Sequence, residues 1–202
     1  MPEDRKLTVG LLGGSFNPVH SGHTMLASYL SQWGYVDEVW MSLSPRNPLK
    51  DPSDLLPDTK RLAMLSIAIK NARGIEICDI ELSMPRPSYT IDTLDLLRER
   101  YPDYRFKVVI GSDNWQIFDR WRQSDRILDE YGVIVYPRPG YPVERRVCHG
   151  MELVDAPMVN ISSTFIRNAI MRGKDMSFFL PQGVNRYILD NKLYRPAEQR
   201  KK

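Results

Sequence analysis

The fold is decided at residues 13–23, GGSFNPVHSGH, which follow the apolar run Leu7–Leu12. A short apolar run that ends in two glycines is typical of a buried strand. The next residues repeat apolar side chains at helical spacing, which predicts a helix over 22–33. The face we expect to be buried carries Met25, Leu26, Tyr29, Leu30 and Trp33. A strand that passes into a helix through a glycine-rich loop indicates an α/β fold.

Strand-like and helical segments alternate along the rest of the chain. The strand-like segments are 36–43, 75–82, 105–110, 132–136 and 151–154, and the helical ones are 58–72, 90–101, 115–128 (broken), 163–172 and 181–191. This alternation predicts one Rossmann-like domain over residues 1–202, with a doubly wound parallel sheet and a small C-terminal helical part. Ligands bind beyond the carboxyl ends of such strands. We therefore expect the loops at 13–23, 44–50 and 111–113 to converge.

The composition excludes several classes of protein. Of 202 residues, 42% are hydrophobic and 26% charged, and the net charge of +3 forms no clustered basic face, so we expect no nucleic-acid partner. Cys78 and Cys148 lack the spacing of a disulfide framework or a thiolate metal site. No apolar run reaches the roughly 18 to 20 residues of a membrane span, and no signal segment opens the sequence. We expect a cytoplasmic protein without a membrane partner.

Two of the three histidines, His20 and His23, lie where the first strand passes into the helix. Helix N-termini attract anions, and Gly13 and Gly14 allow the backbone to approach a phosphate closely. Two glycines alone would also fit an ordinary turn. A zinc site needs three or four ligands, but no cysteine is near and only His149 remains, so we predict no metal at this pair.

The segment GGSFNPVHSGH resembles the nucleotide-binding signature of the HxGH nucleotidyltransferases, and specifically of the bacterial nicotinate mononucleotide adenylyltransferases. Their pattern GGxF(N/D)PxHxGH is satisfied at every fixed position. A later family signature, ISSTxIR, is similar to residues 161–167. Hydroxyl side chains there cap a helix, and Arg167 carries a guanidinium towards the same end. Taken alone, this segment would also fit an ordinary helix cap with a surface arginine.

The resemblance implies an enzyme that joins the adenylyl part of ATP to a pyridine mononucleotide, with Mg²⁺ bound together with ATP. It implies that His23 acts on the α-phosphate, His20 on the polyphosphate, and Arg167 on the leaving pyrophosphate. Arg138 lies in a segment similar to the family's R-x-G, near the adenine. The implied ATP-binding residues are Gly13, Gly14, Ser15, Phe16, Asn17, Gly22, Arg138, Ile161, Ser162, Ser163 and Thr164.

The mononucleotide side is implied by three further segments. Residues 87–93 resemble the family's PSYTxxT, residues 111–113 its G-x-D, and Trp121 its acceptor-site tryptophan. The resemblance implies that Trp121 stacks on the pyridine ring, that Asp113 binds the ribose and that Lys50 meets the 5′-phosphate. Arg122 departs from the family, which often has an aromatic residue at this position. A basic side chain there favours the binding of a carboxylate. Trp115 fits either the site or the core. The implied mononucleotide-binding residues are Asn47, Lys50, Tyr89, Thr90, Asp113, Trp121 and Arg122.

Several alternatives stay open at this stage. The acceptor can be nicotinamide mononucleotide, which differs from the nicotinate form only by an amide in place of a carboxylate. A phosphopantetheine or sugar phosphate acceptor defines other relatives, and a non-catalytic nucleotide sensor is an alternative of a different class. The expected partners are ATP and a pyridine mononucleotide. A homo-oligomer is compatible with the sequence.

Overall fold

The computed structural model describes residues 5–45, 55–143 and 149–195. Within these ranges a six-stranded parallel sheet runs in the order β3-β2-β1-β4-β5-β6. The strands are β1 (Leu7–Gly14), β2 (Glu38–Leu43), β3 (Ile75–Cys78), β4 (Tyr104–Gly111), β5 (Val133–Tyr136) and β6 (Met151–Leu153). The helices are α1 (Ser21–Gln32), α2 (Asp58–Ile69), α3 (Thr90–Arg100), α4 (Ser112–Trp115), α5 (Ser124–Glu130), α6 (Ser163–Met171) and α7 (Val184–Asp190).

Helices cover both faces of the sheet, which confirms the doubly wound architecture. Adjacent strand residues point to opposite faces, so Leu12 and Val109 belong to one core, whereas Leu11 and Val108 belong to the other. Helices α1, α2, α6 and α7 pack on the first face, and α3 and α5 pack on the second. Strands buried on both sides explain the continuous apolar runs in the sequence.

The chain reverses its direction of travel across the sheet at β1. It adds β2 and β3 on one side of β1, then returns to place β4 on the other side. The carboxyl ends of β1 and β4, at Gly14 and Gly111, therefore flank the topological switch point, where ligands of such sheets bind. The loop at 13–23 and the residues Ser112-Asp113 are brought together there.

Several predicted boundaries were wrong. The strand expected over 75–82 ends at Cys78 and is followed by a 3₁₀ turn, Ile80–Ser83. The break expected in the helix over 115–128 is confirmed, because the 3₁₀ turn Phe118–Arg120 separates α4 from α5, but α4 begins at Ser112 and α5 ends at Glu130. The last helix begins at Val184 rather than at 181, after a 3₁₀ turn at Ser177–Phe179.

The buried face of α1 also differs from the prediction. Ala27 and Leu30 are its buried residues, whereas Met25 and Trp33 are exposed. Leu30 of the predicted face is confirmed as buried, and Leu26 and Tyr29 pack, partly buried, against the core. None of the helices among the described residues has the length and apolar character needed to cross a membrane.

Candidate active site

The rings of His20 and His23 are stacked at the N-terminus of α1. Their centroids are 3.6 Å apart with an angle of 24° between the ring planes. The backbone N–H of His20 donates to Nδ1 of His23 at 3.2 Å. Because that nitrogen accepts, the proton of a neutral His23 ring is on Nε2, which makes Nε2–H a hydrogen-bond donor. The pair thus presents a donor beside a helix N-terminus, a suitable place for a phosphate oxygen.

His20 is buried, with 5% of its surface exposed. Burial, and then the positive charge of Arg138, lower the pKa of His20 from 6.5 to about 4. His20 is therefore neutral at physiological pH. Its Nδ1 has no hydrogen-bond partner among the residues described. A Cβ at Gly22 would lie 3.1 Å from this nitrogen, so the glycine provides the space that the His20 ring occupies.

The loop before the histidines has a strained backbone. Phe16 is buried and has φ of +44°, in the left-handed region that bulky residues rarely adopt. A Cβ at Gly14 would lie 2.9 Å from the Phe16 ring, so this glycine is required by a close contact. By contrast, a Cβ at Gly13 would meet nothing within 4 Å, which leaves that side of the loop open.

The late segment contacts the backbone of this early loop directly. Ser162 caps α6 by accepting from the N–H of Phe165 at 3.1 Å, as predicted. The hydroxyl of Ser163 donates to the carbonyl of Pro18 at 2.9 Å, and Nη1 of Arg167 donates to the carbonyl of Asn17 at 3.0 Å. The two predicted anion-binding segments, some 145 to 150 residues apart in sequence, therefore form one surface.

Arg138 and Asp113 face each other across the ends of β4 and β5. Nη1 of Arg138 lies 3.5 Å from a carboxylate oxygen of Asp113, and the backbone N–H of Arg138 donates to the hydroxyl of Ser112 at 2.9 Å. A Cβ at Gly111 would lie 2.4 Å from both side chains. The sequence assigned Arg138 to ATP and Asp113 to the mononucleotide, and the structure places the two groups in contact.

The residues predicted for the pyridine lie near the N-terminus of α3. The Arg122 guanidinium lies 4.9 Å from the centroid of the Tyr89 ring, and its Nη1 is 3.3 Å from Asp92. Trp121 contacts the ring of Phe118, with 5.4 Å between centroids. Thr90 is the first residue of α3, so backbone N–H groups at this helix N-terminus are oriented towards the same region.

Trp115 and Trp121 both pack, partly buried, against the core between the sheet and α3. The Trp115 ring stacks on Phe118, the ring that Trp121 also contacts, with 5.2 Å between centroids. Asn47 and Lys50 lie outside the described residues, so their predicted contacts with the mononucleotide stay predictions.

Two residues that sequence reasoning missed support the early loop. Arg61 of α2 is completely buried, and its Nη1 donates to the carbonyl of Ser15 at 2.6 Å. The hydroxyl of Tyr194 donates to the side-chain oxygen of Asn17 at 2.9 Å, and burial raises the pKa of this phenol, which keeps it a donor. The signal for Arg61 was its spacing, because it lies on the same helical face as Met64 and Leu65.

A cavity of about 470 Å³ lies elsewhere, beside β3 and the C-terminal end of α3. It is lined by Trp40, Cys78 and Tyr101 among others, and by none of the predicted site residues. Burial raises the pKa of the Cys78 thiol, so this thiol is protonated and unreactive. The predicted site residues lie in the loops at the switch point and not at this cavity.

Known proteins resemble the chain over most of its length. The cytidylyltransferase-like family model matches residues 11–169. The "Probable nicotinate-nucleotide adenylyltransferase" of Bacteroides thetaiotaomicron is 47% identical over 189 residues, which cover 93% of this chain and 94% of that protein. The protein of the same name from Bacteroides fragilis is 45% identical over 185 residues, covering 91% and 92%.

A solved structure has the same fold. The Plasmodium falciparum nicotinic acid mononucleotide adenylyltransferase complexed with NaAD superposes with a TM-score of 0.78, covering 93% of this chain and 97% of that one, at 21% identity. At that identity the likeness establishes the fold, and the identities of 45% and 47% over nearly complete chains establish the family. The chain belongs to the nicotinate-nucleotide adenylyltransferases, within the cytidylyltransferase-like family.

Proposed function

We propose that this protein transfers the adenylyl group of MgATP to the 5′-phosphate of nicotinate mononucleotide, which yields nicotinate adenine dinucleotide and pyrophosphate. The observation that carries the proposal is the contact between the early and late loops. Ser163 and Arg167 bind the carbonyls of Pro18 and Asn17, two and three residues before the first of the stacked histidines. Two anion-binding segments that meet in this way suit one triphosphate chain.

The reaction needs no general base and no covalent enzyme intermediate. A phosphate monoester has a second pKa of about 6, so the attacking 5′-phosphate is largely dianionic at neutral pH. Its oxygen attacks the α-phosphorus of ATP in line, the bond to the bridging oxygen breaks, and pyrophosphate leaves with that electron pair. The protein's task is to hold two anions together and to stabilise the charge that develops.

Three side chains have distinct roles in this proposal. Nε2–H of His23 donates to a nonbridging oxygen of the α-phosphate, in the tautomer that its Nδ1 contact selects. His20, whose low pKa keeps it neutral before ATP arrives, lies against the polyphosphate and gains affinity for a proton when that anion binds. Arg167 stabilises the charge that accumulates on the leaving pyrophosphate.

Mg²⁺ enters with the nucleotide in this proposal. Among the described residues no group of three or more His, Cys, Asp or Glu side chains is arranged to hold a metal ion. The phosphate oxygens of ATP and water are the hard oxygen ligands that Mg²⁺ prefers. When bound, Mg²⁺ lowers the negative charge of the polyphosphate and so eases the approach of a second anion.

The acceptor is assigned from the residues near α3. The Arg122 guanidinium beside Tyr89 and the N-terminus of Thr90–Arg100 offer positive charge where a pyridine carboxylate would lie. Nicotinate carries that carboxylate and nicotinamide does not, so we propose that nicotinate mononucleotide is the preferred substrate. The supply of ATP and pyridine mononucleotides inside cells supports a cytoplasmic location.

The test is a parallel measurement of product with the two acceptors. Purified protein, MgATP and either nicotinate or nicotinamide mononucleotide are incubated, and dinucleotide and pyrophosphate are quantified by liquid chromatography and mass spectrometry. We expect equal amounts of dinucleotide and pyrophosphate, and a higher kcat/KM with the nicotinate form. Pyrophosphate that appears without an acceptor, or dinucleotide formed from neither mononucleotide, would contradict the proposal.

A further inference from the structure

The side chain of Arg61 uses all of its hydrogen-bonding capacity in the protein interior. It is completely buried, and its five N–H groups have five acceptors. They are the carbonyls of Ser15 at 2.6 Å, Ser44 at 2.8 Å, Pro45 at 3.0 Å and Leu56 at 3.0 Å, and the carboxylate of Asp58 at 2.5 Å. A buried guanidinium is tolerated only when its donors are satisfied in this way.

These acceptors belong to three separate parts of the chain. Ser15 lies in the loop after β1, Ser44 and Pro45 follow β2, and Leu56 and Asp58 lie at the start of α2. Nη1 alone joins the carbonyls of Ser15 and Ser44. Arg61 therefore fixes the early loop relative to the end of a neighbouring strand and to a helix.

The contact falls next to the strained residue of the early loop. Phe16, which follows Ser15, has φ of +44° and a ring that fills the space above Gly14. A conformation of this kind persists only where its surroundings hold it in place. In a trans peptide the N–H points opposite to the carbonyl, so binding the Ser15 carbonyl directs the Phe16 N–H away from Arg61.

The same loop is held from its other side. Arg167 and Ser163 bind the carbonyls of Asn17 and Pro18, two and three residues after Ser15. Donors from two helices thus bind three of the four carbonyls from Ser15 to Pro18, in the loop that leads into His20. Arg167 and Ser163 are already assigned to the phosphates, whereas Arg61 is buried behind the loop and cannot reach a substrate.

We propose that Arg61 is a positioning residue for adenylyl transfer, which holds the Ser15–Phe16 peptide in its strained conformation and so fixes the loop against the triphosphate. The inference rests on the proposed function, because it assumes that the loop receives ATP. Displacement of a reacting group by about 1 Å can cost about a hundredfold in rate. A shift of this loop should therefore appear mainly in the catalytic constants.

The principal test is Arg61→Lys, which keeps the charge but has three donors on a shorter reach. We expect kcat to fall about tenfold to a hundredfold, with KM for the mononucleotide unchanged, at a temperature where the variant is folded. The control is Arg98→Lys, which alters an exposed guanidinium paired with Glu130 at the far end of α3 and should leave both constants unchanged. A lowered Tm with unchanged kcat and KM would make Arg61 merely structural and overturn the inference.

A second readout requires no activity. Hydrogen exchange of substrate-free protein, followed by mass spectrometry, should be faster in Arg61→Lys for peptides covering residues 14–18, and unchanged in the remainder of α2. Faster exchange confined to α2 would overturn the inference. If the loop responds but the wild-type protein makes no dinucleotide, the proposed function fails and the positioning role stands.

A milder variant covers the case in which Arg61→Lys does not fold. Asp58→Asn leaves the four carbonyl contacts of Arg61 in place and weakens the contacts of the carboxylate with Nη2 of Arg61 and with the exposed Arg86. We expect a severalfold fall in kcat, and faster exchange at residues 14–18. Wild-type kcat together with wild-type exchange would overturn the inference.

Discussion

His20 and His23 are stacked face to face with 3.6 Å between their ring centroids. Two imidazolium cations at this distance would repel each other strongly, which disfavours a state in which both rings are charged. Burial and Arg138 keep His20 as the neutral member. The two rings therefore offer hydrogen bonds to a phosphate, and His20 gains affinity for a proton when the anionic substrate binds.

Replacing His23 with alanine should impair the chemical step. The Nε2–H donor of His23 is assigned to the α-phosphate, where charge grows in the transition state. We expect kcat to fall about a hundredfold or more, with a modest change in KM for ATP, because the contact strengthens only in the transition state. Steady-state kinetics with varied ATP measures both constants. His149→Ala, at an exposed histidine, is the control, and an unchanged kcat in His23→Ala would remove this residue from the chemistry.

The low pKa of His20 should appear in the pH dependence of stability. Below about pH 6.5 a histidine of the unfolded chain takes up a proton that His20 in the folded protein does not accept until about pH 4. The unfolded state therefore binds more protons in this window, and stability falls as the pH falls through it. We expect this one group to cost about 2 kcal/mol between pH 7.5 and pH 5.

Urea denaturation of the wild-type protein and of His20→Gln at these two pH values measures that contribution. The other titratable groups are the same in both proteins. The difference between the two proteins in stability lost on acidification therefore isolates the contribution of His20. The wild-type protein should lose more stability than the variant on acidification. Equal losses would mean that His20 is not kept neutral by the fold.

The meeting of the two loops could be predicted from the sequence, but the support behind them could not. Parallel strand topology brings the end of β1 to the switch point, and the two motifs identify His20, His23 and Arg167 as neighbours there. Arg61, in contrast, looks like one more charged residue on an amphipathic helix. Its function depends on carbonyls at Ser15 and Ser44, and backbone acceptors have no signature in the sequence.

Burial of individual helix faces was only partly predictable for a related reason. Of the face predicted for α1, Leu26, Tyr29 and Leu30 pack on the core. Met25 and Trp33 are exposed instead, and Ala27, outside that face, is buried. Periodicity records which residues are apolar and not how closely a helix approaches its sheet. Likewise, Arg138 contacts Asp113 because β4 and β5 are neighbours in the sheet. The sequence around either residue does not show that the two strands pair.

Trp121→Ala should weaken the mononucleotide without affecting ATP. The Trp121 ring rests on Phe118 at the pyridine side of the site. Stacking of a base on an aromatic side chain contributes about 1 to 3 kcal/mol, so we expect KM for the mononucleotide to rise about tenfold. Initial rates with each substrate varied in turn measure the effect. Trp115→Ala, which removes the other ring that packs on Phe118, is the comparison and should lower Tm instead. An equal rise in both KM values for Trp121→Ala would contradict the division of the site.

Arg122→Met should reduce the preference for nicotinate over nicotinamide. Methionine keeps an unbranched, flexible side chain but is shorter and lacks the charge that lies beside Tyr89. A single partly exposed ion pair contributes up to about 1 kcal/mol, so we expect kcat/KM with nicotinate mononucleotide to fall about fivefold, with little change for the nicotinamide form. Arg120→Met, at a neighbouring exposed position, is the matched control. A parallel fall with both acceptors would show that Arg122 supports the fold and does not select the carboxylate.

Gly111→Ala should disturb both substrates at once. The new Cβ would lie 2.4 Å from Arg138 and from Asp113. Both side chains must move to avoid this steric clash. Both side chains are only half-buried and can move, so we expect a small change in Tm. Because Arg138 is assigned to ATP and Asp113 to the mononucleotide, KM should rise for both substrates, which separates this variant from Trp121→Ala. Initial rates over a grid of the two substrate concentrations measure both constants, and a rise in only one KM would place Arg138 and Asp113 in the same half of the site.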